Sequence, residues 1–169
     1  YHFNKVKTFH HMMDERTQEE PRAWDLEGAT HRAGFKIEEL VEFVRAASPS
    51  EEDFGQAVSQ LHQALDKAAD KVAKKTPAQQ DLIGQVDALI DTLYFTYGSF
   101  VLMGVDPERI FDIVHQANMG KIFPDGKAHF DPVTHKILKP DDWEEKYAPE
   151  PAIKKELQRQ LKAYERHKE

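Results

Sequence analysis

Cysteine is absent from this sequence of 169 residues. Its absence excludes disulfide bonds, iron–sulfur clusters and zinc sites built from thiolate ligands. Basic residues are in the minority, because 23 lysines and arginines face 30 aspartates and glutamates and the net charge is −7. Proteins that bind nucleic acids usually carry a basic patch, so we expect no nucleic-acid partner. An acidic chain can still bind a phosphate-rich small molecule when metal ions neutralise the opposing negative charges.

Long hydrophobic runs are missing as well. No apolar run reaches the roughly 20 residues that a transmembrane helix needs, and no signal-peptide core stands at the start of the sequence. We therefore expect no membrane association and a cytoplasmic location. The alternation of polar and apolar residues that marks β-strands is also scarce, whereas helical periodicity dominates.

This periodicity predicts one all-α domain over residues 1–169, a helical bundle of about five to six helices. A long C-terminal loop at 121–146 precedes a terminal helix within 149–169. The helices are expected at 3–14, 26–47 and 52–75, from Thr76-Pro77 to near Gly104, from Asp106 to Gly120, and after Pro151. Two apolar stripes, at 54–72 and 153–164, are our candidates for contact between subunits.

The stretch QVDALIDTLYFTYGSFV, residues 85–101, is the one around which we expect the chain to be organised. Its apolar residues surround almost the whole helix, which predicts a buried helix. Asp87 and Asp91 interrupt it, and their spacing of four places both carboxylates on one face. Burial of carboxylates without a partner is costly, so this pattern predicts a nearby cation. The cation is a metal ion or the side chain of an arginine or lysine.

A second acidic cluster lies upstream in FKIEELVEFV, residues 35–44. Glu38, Glu39 and Glu42 fall within an arc of about 100° on a helix, opposite the apolar side chains. With the two aspartates they provide an oxygen-only ligand set suited to Mg²⁺ or Mn²⁺. The glutamate face taken alone is more typical of a solvated surface.

Several short motifs occur in a recognisable order. They are EELVE at 38–42, DALIDTLYFTYG at 87–98, VHQANMGK at 114–121, DGK at 125–127 and LKP at 138–140. This order resembles the all-α NTP pyrophosphohydrolases of the MazG-like superfamily, which includes dimeric dUTPases and phosphoribosyl-ATP pyrophosphohydrolase. The resemblance covers roughly residues 30–140. The chain departs from the family at Ala88, where the family's E-x-x-D motif usually has glutamate, and Asp87 is our candidate for the replacement.

The resemblance implies a Mg²⁺-dependent enzyme that cleaves a nucleoside triphosphate to a nucleoside monophosphate and pyrophosphate. Glu38 is our candidate for the group that orients or deprotonates the attacking water. The other implied site residues are metal ligands at Glu39, Glu42, Asp87 and Asp91, and substrate contacts at Asn118, Lys121, Lys127 and Lys139. For the lysines, a solvated surface role is the alternative. The implied partners are the nucleotide and a second copy of the chain, in a homodimer or homotetramer.

Two other functions stay open at this point. The first is hydrolysis of phosphoribosyl-ATP, although the helix at 52–75 and the C-terminal arm argue against this substrate. The second is a nucleotide-binding or metal-stabilised helical oligomer without catalysis, which the departure at Ala88 favours.

Overall fold

The computed structural model describes residues 1–13, 19–77 and 79–168. Within these ranges the chain forms seven helices: α1 (His2–Met13), α2 (Leu26–Ala47), α3 (Glu51–Val72), α4 (Leu82–Met103), α5 (Glu108–Met119), α6 (Trp143–Tyr147) and α7 (Glu150–Lys168). The described residues contain no β-strand, and an isolated bridge joins Phe130 to Ile137. The predicted all-α fold class is therefore confirmed. None of the helices in the described ranges could span a membrane.

Capping side chains mark the starts of α2 and α3. The carboxylate of Asp25 accepts a hydrogen bond of 2.7 Å from the backbone N–H of Gly28. The hydroxyl of Ser50 accepts one of 3.1 Å from the backbone N–H of Asp53. Each bond satisfies a first-turn donor that has no partner inside the helix. Helix α2 has the predicted bounds, and the bounds of α3 differ by only a few residues from the predicted 52–75.

The predicted start of α4 at Thr76-Pro77 was wrong, because the helix begins at Leu82. Gln80 has a φ of +52°, which interrupts any helix that begins before it. The carboxylate of Asp81 then accepts a hydrogen bond of 2.9 Å from the backbone N–H of Gly84 and caps the helix. The predicted end holds, since Gly104 follows α4 with a φ of +72°.

The chain divides into two compact units, Tyr1–Glu20 with Ile90–Glu169 and, separately, Pro21–Leu89. In the unit Pro21–Leu89, α2 packs against α3. Arg45 near the end of α2 forms an ion pair with Glu51 at the start of α3. The same guanidinium lies 4.8 Å from the ring centroid of Phe54. These contacts fix the turn between the two helices.

Helix α5 is the centre of the other unit, where it packs against α1 and α7. On the α1 side, the ring of His2 stacks on Phe111 with a centroid distance of 4.0 Å. On the α7 side, Gln160 donates to the carbonyl of Asp106 and accepts from its N–H, both at 2.9 Å. Helix α5 is thus held from both sides.

The apolar helix α4 is not buried within the chain, contrary to the sequence-based expectation. Phe95 is 78% exposed and Leu102 is 91% exposed. Helix α2 also exposes its apolar side, including Ile37 and Phe43. Periodicity identifies side chains that need cover, but it does not say whether the same chain supplies that cover.

A buried carboxylate lies between α5 and α7. Glu156 is 8% exposed and accepts hydrogen bonds from Arg159 at 2.7 and 2.9 Å and from Gln160 at 2.9 Å. Arg109 on α5 lies 3.7 Å from it. The hydrogen bonds from Arg159 and then Gln160 lower the pKa of Glu156 from 4.5 to about 2. The charged form therefore stabilises the packing of α7 on α5.

This shift predicts an acid-dependent loss of stability. Because the folded pKa of Glu156 is depressed, its contribution is present above pH 4.5 and is lost as the pH falls towards 2. We expect Glu156→Gln to lower the melting temperature at pH 7. The difference in melting temperature between the two proteins should shrink as the pH falls from 4.5 to 2. Melting curves of both proteins across this range test it, with Glu165→Gln on the exposed side of α7 as control. A Glu156→Gln effect independent of pH would contradict the assignment.

Candidate functional site

The three predicted glutamates lie on the exposed surface of α2. Glu38 and Glu42 are one helical turn apart and share a face, with Glu39 beside them. The side chains of Glu38 and Glu42 form no ion pair or hydrogen bond with any other described residue. Glu39 does have an interaction partner. The carboxylates of Glu38 and Glu42 are therefore available to a ligand from outside the chain.

The two predicted aspartates lie one turn apart on α4, and both are exposed. The predicted alternative to a metal ion was a lysine or arginine side chain as the cation beside these aspartates. In the part of the chain that the structure describes, neither Asp87 nor Asp91 has an ion pair. The carboxylates thus carry charge that no described basic side chain neutralises.

Two hydrogen bonds fix the start of α4 within the unit Pro21–Leu89, and neither could be predicted from residue spacing. The backbone N–H of Trp24 donates to Oε1 of Gln85 at 2.8 Å, and Nε2 of Gln85 donates to the carbonyl of Trp24 at 3.0 Å. Trp24 directly precedes Asp25, which caps α2, and Gln85 is two residues before Asp87. The N-terminal turns of α2 and α4 are therefore joined.

The described part of the chain does not by itself gather a complete metal site. No group of three or more histidine, aspartate or glutamate side chains in it lies close enough to hold a metal ion. The chemistry of the predicted carboxylates nevertheless fits Mg²⁺ or Mn²⁺, which prefer carboxylate oxygens.

Two of the predicted phosphate-binding lysines lie together at the ring of Trp143. The ammonium nitrogen of Lys139 is 4.3 Å from the ring centroid, and that of Lys121 is 5.7 Å from it. Asn118 lies in the last turn of α5, and its carbonyl accepts a hydrogen bond of 3.1 Å from the N–H of Lys121. Asn118, Lys121 and Lys139 are thus brought into one region of the unit.

Lys127 lies apart on a tight turn. Its carbonyl accepts a hydrogen bond of 3.0 Å from Phe123, and its N–H donates to the carboxylate of Asp125 at 2.9 Å. The hydrogen bonds from His129 and then from the Lys127 backbone hold the pKa of Asp125 below its usual value. The turn is therefore fixed through its backbone and Asp125, which leaves the Lys127 side chain exposed.

Trp143 is the residue that reasoning from the sequence missed. It begins the five-residue helix α6, inside the segment that was expected to be loop throughout. The residue is only 8% exposed, and its Nε1–H donates to the carbonyl of Ala117 at 2.7 Å. The sequence offered a weak indication of its role, since Trp143 is an aromatic residue four positions after Lys139. The surrounding segment is polar and contains proline, and it lacks the helical periodicity from which a buried residue can be predicted.

Comparison with known proteins adds an independent observation. The sequence pattern of the phosphoribosyl-ATP pyrophosphohydrolase family matches residues 6–118. The fold is similar to the crystal structure of a "putative NTP pyrophosphohydrolase" from Exiguobacterium sp. 255-15, with a TM-score of 0.88 and 39% identity. The similarity covers 96% of this chain and 97% of that one. Curated proteins gave no significant match.

The matched region begins before the acidic helix α2 and ends at Asn118. It contains all five candidate carboxylates, and it stops short of Lys121, Lys127 and Lys139. The structural similarity extends over those lysines as well, because it covers nearly the whole chain. The chain therefore belongs to the phosphoribosyl-ATP pyrophosphohydrolase family, within the MazG-like superfamily, and is a hydrolase that acts on pyrophosphate bonds.

Proposed function

We propose that the substrate is a nucleoside triphosphate, cleaved to a nucleoside monophosphate and pyrophosphate with Mg²⁺, or Mn²⁺, as cofactor. The observation that carries the metal proposal is the free state of four carboxylates, Glu38, Glu42, Asp87 and Asp91, none of which has a partner among the described side chains. Like-charged pairs one helical turn apart destabilise an isolated helix slightly. Their presence in a pyrophosphohydrolase is explained if Glu42, Asp87 and Asp91 bind a cation that arrives with the substrate and Glu38 acts on the attacking water.

The proposed metal ligands are Glu39, Glu42, Asp87 and Asp91. When bound there, Mg²⁺ would supply positive charge next to the phosphate oxygens and would help to activate the attacking water. Asp87 serves as the metal ligand in place of the glutamate that the family usually has at the position of Ala88. A spacing of four residues places it on the Asp91 face as well as a spacing of three would.

The remaining site residues act directly on water and substrate. Glu38 accepts a hydrogen bond from the attacking water and removes its proton as the bond to phosphorus forms. Lys121 and Lys139 place positive charge against the phosphates, and Asn118 donates a hydrogen bond to phosphate or sugar. Lys127 is a further phosphate contact. Phosphoryl transfer depends mainly on such positioning and charge compensation.

The active form is a homo-oligomer in this proposal, a dimer or a tetramer. The support is the large apolar surface that α2 and α4 expose, including Phe43, Leu93 and Phe95. Burial of one large apolar side chain contributes roughly 1.5–3 kcal/mol, so several such side chains are needed together to offset the entropic cost of association. The exposed apolar residues Leu157, Leu161 and Tyr164 of α7 offer a second contact surface.

Light scattering tests the oligomer. At micromolar concentrations we expect the mass of two or four chains, and Phe95→Glu is expected to shift the protein towards a single chain because it places a charge in the apolar contact. Val133→Glu, an equally exposed apolar position on a loop, is the matched control and is expected to keep the oligomer. A single chain at all micromolar concentrations would contradict the proposal.

Phosphoribosyl-ATP is the second candidate substrate, and the family match over residues 6–118 favours it. The two candidates share the bond that is cleaved, so they differ in the groups beyond the phosphates. A panel of canonical and modified nucleoside triphosphates, assayed beside phosphoribosyl-ATP, decides between them. The proposal expects at least one nucleoside triphosphate to have the highest kcat/KM. A preference for phosphoribosyl-ATP over the whole panel would make it the substrate instead.

A further inference from the structure

An apolar side of α7 stays exposed in the described part of the chain. Its members recur every three or four residues and therefore share one side of the helix. The carboxylate of Glu156, 3.7 Å from the guanidinium of Arg109 on α5, is on the neighbouring side, so the packing of α7 on α5 leaves this side open. Leu161 is 57% exposed and Tyr164 is 59% exposed. The apolar stripe, as we call this side, consists of Ile153, Leu157, Leu161 and Tyr164.

Two opposite charges stand in line with the apolar stripe, one at each end of the helix. Glu150 is in the first turn and lines an open groove together with Leu157 and Leu161. Lys168 is in the last turn, where its ammonium nitrogen lies 5.3 Å from the ring centroid of Tyr164. Neither Glu150 nor Lys168 forms an ion pair with another residue that the structure describes. Both charges are therefore open to a partner of opposite sign.

We infer that the apolar stripe packs against the apolar stripe of a second copy of this chain, with the two α7 helices antiparallel. A two-fold axis between the helices then places Leu157 of one copy opposite Leu161 of the other. The same register places Glu150 of each copy opposite Lys168 of the other, at the two ends of the pair. Apolar side chains at the centre and charged side chains at the rim are typical of specific protein interfaces. This contact goes beyond the proposed function and does not depend on the substrate.

The charges favour the antiparallel direction over the parallel one. In a parallel pair, equivalent residues of the two copies would face each other, so Glu150 would meet Glu150 and Lys168 would meet Lys168. Like charges at facing positions oppose association. The antiparallel pair replaces both repulsions with attractions. It also places the positive N-terminal end of each helix beside the negative C-terminal end of the other.

Disulfide cross-linking tests both the partner and the direction, and the absence of cysteine from the sequence keeps the background clean. The double variant Ile153→Cys/Tyr164→Cys places two thiols on the apolar stripe. Within one chain these positions are about 16 Å apart along the helix, which is too far for a disulfide bond. In the antiparallel pair, position 153 of one copy lies beside position 164 of the other. We therefore expect a covalent dimer on a non-reducing gel after mild oxidation with diamide at micromolar protein concentration.

Two controls make the cross-link specific. Lys155→Cys/Arg166→Cys has the same spacing on the opposite, exposed side of α7 and is expected to give no covalent dimer. Ile153→Cys alone is also expected to give none, because its two copies are more than about 15 Å apart in the antiparallel pair. A dimer from Ile153→Cys alone would indicate parallel helices and overturn the inference. No dimer from the folded double variant would also overturn it, since the stripe would then have another partner or none.

Charge reversal tests the role of the end residues with the same cross-link. Adding Glu150→Lys to the double cysteine variant is expected to slow dimer formation by roughly tenfold, because two attractive pairs become repulsive. Further addition of Lys168→Glu should recover the rate, since opposite charges face each other again. A still slower rate in that combined variant would overturn the register. If circular dichroism shows that the double cysteine variant is not folded, a mixture of the single variants Ile153→Cys and Tyr164→Cys decides, because only the mixture should form a dimer.

Discussion

Asp91→Asn is expected to lower kcat by about a hundred- to a thousandfold, the typical effect of removing one group that stabilises charge in a transition state. Asparagine keeps the size and hydrogen-bonding capacity of the side chain, but its neutral oxygen is a weaker ligand for a divalent cation. Because Asp91 has no ion pair among the described residues, the substitution breaks no such pair and the protein should stay folded. Turnover with saturating Mg²⁺, together with circular dichroism, measures this effect. Asp66→Asn on the exposed surface of α3 is the matched control.

The same assay can test whether Asp87 replaces the glutamate that the family usually has at the position of Ala88. Asp87→Asn should lower activity in the same manner as Asp91→Asn if Asp87 replaces the family's usual glutamate. The double variant Asp87→Ala/Ala88→Glu moves the carboxylate to a spacing of three residues from Asp91, on nearly the same face. We expect this variant to recover at least about tenfold in kcat over Asp87→Ala, a change of about 1.4 kcal/mol in the barrier. An Asp91→Asn enzyme with more than half of the original kcat would contradict the assignment.

Glu38→Gln is expected to produce the second large effect, a loss of about a hundred- to ten-thousandfold in kcat with little change in KM. Glutamine retains the shape of the side chain but cannot accept a proton from the attacking water. Glu39→Gln should behave differently, because it weakens metal binding and higher Mg²⁺ concentration should recover part of its activity. Turnover of both variants over a range of Mg²⁺ concentrations distinguishes a general base from a ligand.

The reverse result would exchange the two roles. If Glu38→Gln recovers with added Mg²⁺ and Glu39→Gln does not, Glu39 is the general base. The two glutamates are adjacent on an exposed helix, and their spacing alone does not separate a base from a ligand. Glu39 has an interaction partner in the chain whereas Glu38 has none among the described residues. A free carboxylate is better suited to accept a proton from water.

The sequence predicted the helices well because their determinants are local. The bounds of α2 follow from an apolar repeat that ends at the Ser48-Pro49 stop. The start of α4 was harder, since Pro77 resembles a first-turn proline while the effective cap is Asp81, which follows a left-handed residue at Gln80. Two competing start signals within five residues cannot be ranked by pattern alone.

Burial and the lysine cluster were beyond the sequence for a different reason. The apolar pattern of α4 predicted burial, but Phe95 is exposed, because none of the described residues covers it. Trp143 gathers Lys121 and Lys139 through tertiary contacts, which no residue spacing encodes. The carboxylates were chosen as candidates because helical periodicity places Asp87 with Asp91 and Glu38 with Glu42. Their joint action as one metal site stays a prediction.

Identification of the products decides whether the protein cleaves a nucleoside triphosphate to a nucleoside monophosphate and pyrophosphate. The purified protein is incubated with a nucleoside triphosphate and Mg²⁺, with a parallel sample in EDTA, and the products are separated by anion-exchange chromatography. The proposed mechanism predicts nucleoside monophosphate and pyrophosphate in equal amounts, and no product in EDTA. Nucleoside diphosphate with orthophosphate, or tight binding of the nucleotide without any cleavage, would contradict it.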